Sequence, residues 1–166
     1  MRRILIGTIL VIFTAANSLA GDASVLRFDG IGPIKIGMSL AQLNLALQER
    51  FKMPPARDDQ ACFYVDSKKH PHINFMILEG RLARIDVETA SVSTAASIKI
   101  GDSEAQALRV YGSKMKVEPH KYTEGHYLTV RSSTGTYGIR FETDAGKITT
   151  FYAGSYEAIR YVEGCE

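Results

Sequence analysis

The sequence predicts an α+β protein of two tandem units, each a helix packed on an antiparallel β-meander of three to four strands. Two observations carry that expectation. Ile34-Lys35-Ile36-Gly37-Met38-Ser39-Leu40-Ala41-Gln42 returns 64 residues later as Ile98-Lys99-Ile100-Gly101-Asp102-Ser103-Glu104-Ala105-Gln106. In both copies an apolar run meets a glycine, then a serine followed three residues on by glutamine, the pattern of a reciprocal helix N-cap. Phe75 to Gly80 with Arg81-Leu82 is likewise echoed by Phe141 to Gly146 with Lys147-Ile148, at an offset of 66. Repetition at a near-constant period is the mark of a duplicated unit. It places the first unit at residues 21–90 and the second at 91–166.

The elements follow in order. Arg2-Arg3, the apolar run Ile4 to Phe13 and Ser18-Leu19-Ala20 have the form of a secretory signal peptide over residues 1–20. Val25 to Phe28 reads as an edge strand. The first helix is expected from Leu40 to Phe51, because Leu40, Leu43, Leu47 and Phe51 fall on one stripe. Pro54-Pro55 ends it. Strands are expected at Cys62–Val65, Ile73–Ile77 and Leu82–Val87, with Phe63, Val65, Ile73, Phe75, Ile77, Ile85 and Val87 facing the helix. Glu88 to Ser97 is a connection in which Val92 marks one short edge strand. A shorter helix runs from Ser103 to Tyr111, Glu118 to Gly125 is a loop, and strands follow at Tyr127–Arg131, Tyr137–Glu142 and Lys147–Ala153. Leu128, Val130, Ile139, Phe141 and Phe151 are the inward residues of this second sheet. Tyr156–Val162 has no counterpart in the first unit.

Charge and cysteine usage bound the function. The formal net charge is +2, and Arg2 and Arg3 of the leader account for both, so residues 21–166 are formally neutral. With no basic field, nucleic acid is not an expected partner. The absence of a polybasic block or a long apolar span leaves no ground for stable membrane insertion. A leader implies a periplasmic or secreted protein, and the even count of two cysteines favours a Cys62–Cys165 disulfide there over two separate thiols.

The I-x-I-G-M-[ST]-x-x-[QE] strand-to-helix sequence resembles that of the SmpA/OmlA (BamE-type) outer-membrane lipoproteins. Two such units in one exported chain resemble the β-lactamase-inhibitor protein family. The resemblance implies a helix held on a sheet whose free face contacts other proteins. The chain departs from it in lacking a lipobox cysteine and the intra-unit bridges of the inhibitor family. Such a likeness carries architecture better than function.

No constellation for catalysis stands out. His70 and His72 share a strand face but lack the further ligands a zinc site needs, and His120 and His126 are not placed near them by sequence. Asp58-Asp59 and Glu142/Asp144 read as turn chemistry. There is no G-x-S-x-G and no phosphate loop. The expectation is a protein that is not an enzyme and needs no cofactor or metal.

Tyrosine is distributed unevenly: of eight, only Tyr64 precedes the second unit. Strand alternation puts Tyr64, Met76, Arg84 and Asp86 on the sheet side away from the first helix, and Tyr127, Thr129, Arg140, Thr150 and Tyr152 on that side of the second. Aromatics with arginine suit a protein-binding surface. The predicted binding surface is therefore Tyr64, Met76, Arg84, Tyr127, Thr129, Arg140 and Tyr152. The expected partner is another extracytoplasmic protein, as for an inhibitor, immunity-type or envelope-associated protein. The alternative is a small-ligand or glycan-binding, lectin-like module.

Overall fold

Alternation of apolar and polar residues along the strands sets the architecture. The structure, a computed structural model, describes residues 25–55 and 60–165; the expected leader at 1–20 and the Asp58-Asp59 pair lie outside them. The strands are β1 (Val25–Arg27), β2 (Gly30–Ile31), β3 (Ile34–Lys35), β4 (Cys62–Asp66), β5 (Ile73–Leu78), β6 (Arg81–Val87), β7 (Ser93–Thr94), β8 (Met115–Pro119), β9 (His126–Arg131), β10 (Tyr137–Asp144) and β11 (Lys147–Ser155). The helices are α1 (Leu40–Leu47) and α2 (Glu104–Tyr111).

The described residues are 42% strand and 16% helix, in two sheets with two short α-helices, so the expected pair of tandem helix-on-meander units is corrected. One sheet has seven strands in the order β4-β5-β6-β11-β10-β9-β8, and the other four in the order β3-β2-β1-β7. The physical reason is one antiparallel seam, in which β11 pairs with β6 through Phe151↔Val87, Tyr152↔Asp86, Ala153↔Ile85 and Gly154↔Arg84. Both halves thereby enter one sheet with one main core, where an isolated meander would leave two open edges. The close approach at this seam requires Gly154, since a Cβ there would lie 2.2 Å from the Ala83 carbonyl oxygen.

The helix-facing residues named from alternation all lie in the main core: Phe63, Val65, Ile73, Phe75, Ile77, Ile85, Val87, Leu128, Val130, Ile139, Phe141 and Phe151. The first helix stops at Leu47, four residues short of Phe51. Gln48 adopts the left-handed conformation there, and its N–H bonds back to Asn44 and Leu45. The Asn44 amide then holds the Phe51 backbone through both N–H and C=O, so Phe51 packs from a loop. Met115–Pro119 is a strand where the sequence reading had only the start of a loop.

The two strand-to-helix turns have matching hydrogen bonds. Gly37 N–H donates to Leu82 O (2.7 Å) and Leu82 N–H to Met38 O (2.8 Å); Gly101 donates to Ile148 O (2.9 Å) and Ile148 to Asp102 O (2.9 Å). Ser39 Oγ accepts from Gln42 N–H and Ser103 Oγ from Gln106 N–H. In α1 the capping box is complete, Gln42 Oε1 accepting from Ser39 N–H at 2.9 Å.

Candidate functional site

The face of the seven-stranded sheet away from the helices is built in rows by the strand register. One row runs Tyr64, Met76, Arg84, Gly154, Gly138. The next runs Asp66, Asn74, Asp86, Tyr152, Arg140, Thr129, and Thr150, Glu142 and Tyr127 form part of a third. All seven residues predicted as a binding surface thus share one face. Most of that face is not open to solvent. Tyr64 is 37% exposed, whereas Met76, Arg84, Tyr127, Thr129, Arg140 and Tyr152 are each 5% exposed or less.

Two covers explain the difference. A 3-10 turn at Ala158–Arg160 lies on the small residues of the sheet, with the Ile159 side chain where a Cβ on Gly138 would be (2.3 Å). Met76, Ala83 and Ala158 form a second small core there, flanked by Leu78, Tyr161 and the Cys62–Cys165 disulfide. Arg84 ties this cover down, donating from Nη1 to Ala158 O (3.2 Å) and Tyr161 O (2.8 Å), and from Nη2 to Tyr64 Oη (2.5 Å). The second cover is the loop after β8. Its His120 ring stacks on Tyr127 with centroids 4.3 Å apart, and His120 Nε2 lies 3.2 Å from Glu142 Oε2.

Between the covers remains an open cleft of about 710 Å³. Asp66, Asn74, Asp86, Tyr152, Thr150 and Glu142 line it from the sheet, Glu88 from just beyond β6, with Tyr64, Arg84, Tyr122 and Val162 to Gly164 completing the lining. Both halves of the chain contribute, on either side of the β6–β11 seam. Tyr152 Oη donates to Glu142 Oε1 (2.8 Å), and the Arg84 guanidinium lies 4.4 Å over the Tyr152 ring. At the mouth, Tyr122 Oη and Lys121 Nζ both donate to Glu163, the latter at 2.7 Å.

The charges are tightly balanced. Arg84 Nε is 2.9 Å from Asp86 Oδ1, and both side chains are nearly inaccessible to solvent. Burial nevertheless pushes the Asp86 carboxyl up to about 6 against the pull of Arg84, with Glu88 and Glu142 adding to the push. Burial, followed by the Asp86 charge, raises the Tyr64 phenol to about 12. Burial and the nearby Glu142 carboxylate likewise hold the Tyr152 phenol well above its usual range.

On the helix side, Thr143 Oγ1 donates to Glu104, and His126 Nδ1 lies 3.0 Å from the same carboxylate. These bonds outweigh burial and keep Glu104 below the usual carboxylate range. Among the described residues, no three His, Cys, Asp or Glu side chains group as metal ligands.

From sequence, Asp86 and Thr150 fall on this face but outside the predicted binding surface, and Glu142 reads as turn chemistry. The same alternation that selected Arg84, Arg140 and Tyr152 carries Asp86, Glu142 and Thr150, each two residues away along its strand. Tyr122 and Glu163 come from segments without periodicity and had no comparable sign. Comparison of the chain with protein-family models, with curated proteins and with solved structures finds no match.

Proposed function

We propose that this chain is a non-enzymatic binding protein of the periplasm or the secreted fraction, and that its cleft receives part of another extracytoplasmic protein. The observation that carries the reading is the composite cleft, with polar groups already fixed by one another. Arg84 has acceptors on Asp86, Ala158, Tyr161 and Tyr64, while Glu142 meets Tyr152 and His120. A site ordered before its ligand arrives loses less entropy on binding. One feature favours a glycan as second reading: Tyr122, at the mouth, is 61% exposed and offers a ring on which a sugar can stack.

Site-specific photocrosslinking tests the proposal. A crosslinker in place of Tyr122 is expected to capture a discrete protein in native envelope extract, and one in place of Leu45, 79% exposed on α1, is not. Capture from Leu45 alone would overturn it.

A further inference from the structure

The lining of the cleft is unbalanced in charge. Five of its residues are carboxylates, Asp66, Asp86, Glu88, Glu142 and Glu163, and one, Arg84, is a cation. Arg84 has no charge left to offer a ligand, being held by Asp86, Tyr64 and two backbone carbonyls. Asp66 and Glu88 are exposed. Asp86 is in turn paired with Arg84, and Glu163 with Lys121, so the negative charge of the lining rests on Asp66, Glu88 and Glu142, which disfavour carboxylates and phosphates there.

An acidic lining alone would attract any cation, including solvated salt ions. The aromatic lining narrows the choice. On this face the protein's own cations repeatedly stack on tyrosine: Arg84 on Tyr152 at 4.4 Å, Arg140 on Tyr127 at 5.0 Å and Lys121 on Tyr122 at 5.1 Å. Tyr64, which also lines the cleft, is more than a third exposed, and Arg84 engages its hydroxyl. A tyrosine ring beside a carboxylate is the arrangement that holds an organic cation, the ring contacting its apolar stem and the carboxylate accepting its N–H groups.

We infer that the cleft binds an alkylammonium or guanidinium group, supplied by a lysine or arginine side chain of the protein partner or by a free amine. The inference rests on the reading of this cleft as the binding site and names the chemistry it selects.

The test is titration of the full exported chain, disulfide formed, followed by backbone amide NMR. The probes are the methylamides of Nα-acetyl-arginine and Nα-acetyl-lysine, their uncharged Nα-acetyl-norleucine counterpart, putrescine and chitotriose. The basic probes are expected to shift the amides of Asp66, Asp86, Thr150 and Gly164, with affinity falling about tenfold on raising the salt to roughly 0.5 M. Norleucine is expected to do nothing. Asp66→Asn combined with Glu88→Gln is expected to weaken the basic probes about fivefold with an unchanged spectrum elsewhere, since both side chains are exposed. Peptide binding without putrescine binding assigns the cation to a protein side chain; equal binding assigns it to free amines. If norleucine shifts the same amides equally, or chitotriose alone shifts them, the cation inference fails while the cleft stands as a site. If no probe shifts them although the crosslinker at Tyr122 captures a partner, the cation inference again fails alone. Capture from Leu45 only removes the site itself.

Discussion

The two faces of the seven-stranded sheet are buried to a similar depth by opposite means. Toward the helices, Phe75, Phe141 and Phe151 are fully buried and packed by shape. On the other side, Arg84, Asp86, Thr129 and Arg140 are buried as well, and hydrogen bonds hold them. Arg140 Nε donates to Thr129 Oγ1 at 2.9 Å, as Arg84 Nε pairs with Asp86. An apolar face is the cheaper way to make a core, because buried charges lose hydration. The proposed site lies on the polar buried face that borders the open cleft, and the apolar face is what holds the molecule together.

The comparison is sharpest where a substitution on the polar face behaves as it would in a core. Tyr127→Ala with Tyr152→Ala is expected to cost about 3 kcal/mol or more for each ring, as for other buried aromatics. Strand alternation alone assigns the two tyrosines to an open binding surface outside the core. Their burial under the two covers reverses that expectation. Denaturant midpoints of the double variant check it, and a near-normal midpoint would mean that the covers do not pack as described.

Next in size is the tether of the C-terminal cover. Cys165→Ser removes a crosslink spanning 103 residues, for which loop entropy alone gives about 4 to 5 kcal/mol. The second small core around Ala158 and Tyr161 is expected to open first. Faster amide exchange at residues 156–164 than in β10 would show this.

Arg84→Met separates the faces by pH dependence. The Asp86 carboxyl ordinarily titrates near 3.8 but near 6 in the folded protein. Between those values the folded state holds more protons than the unfolded one, so this group's contribution to stability falls as pH rises from about 4 to 6. Without the guanidinium, the carboxyl moves further up and the loss continues above 6. The variant is expected to be about 3 to 5 kcal/mol less stable than the parent at pH 7.5, the usual cost of orphaning a buried charge, and clearly less so at pH 5. Phe75→Ala on the other face is expected to cost the same at both pH values. Denaturant curves at pH 5 and 7.5 decide between the two behaviours.

The smallest effects belong to the two helix starts. Ser39→Ala and Ser103→Ala are each expected to cost about 1 kcal/mol. Ser39 is expected to cost more, because its capping box is complete and α1 buries Leu43 and Leu47, whereas α2 buries only Ala107. Thermal midpoints of the two single variants suffice.

These features differ in how far the sequence revealed them. Alternation assigned both faces residue by residue, since side-chain direction along a strand is set by the backbone. The N-caps at Ser39 and Ser103 and the Cys62–Cys165 pair are equally legible, each resting on local chemistry or simple counting, although the reciprocal glutamine bond expected at both caps forms only in α1. The joining of the halves was not, because the β6–β11 seam pairs residues more than 60 positions apart and depends on the absent side chain of Gly154. Exposure was the other failure. Strand alternation says which way Tyr127 and Tyr152 point, but not that His120 stacks on one of them or that Ala158–Arg160 folds over the sheet. Both covers come from aperiodic segments, so the cleft they leave was invisible in the pattern.

The central claim is that one binding site is assembled across the seam on the polar face. Hydrogen–deuterium exchange of the full chain, with and without the partner captured through Tyr122, tests it most directly. Binding is expected to slow exchange in β4 to β6, in β10 and β11 and at residues 162–164 together, while residues 40–47 and 104–111 stay unchanged. Protection confined to the two helices, or to one half of the chain, would contradict it.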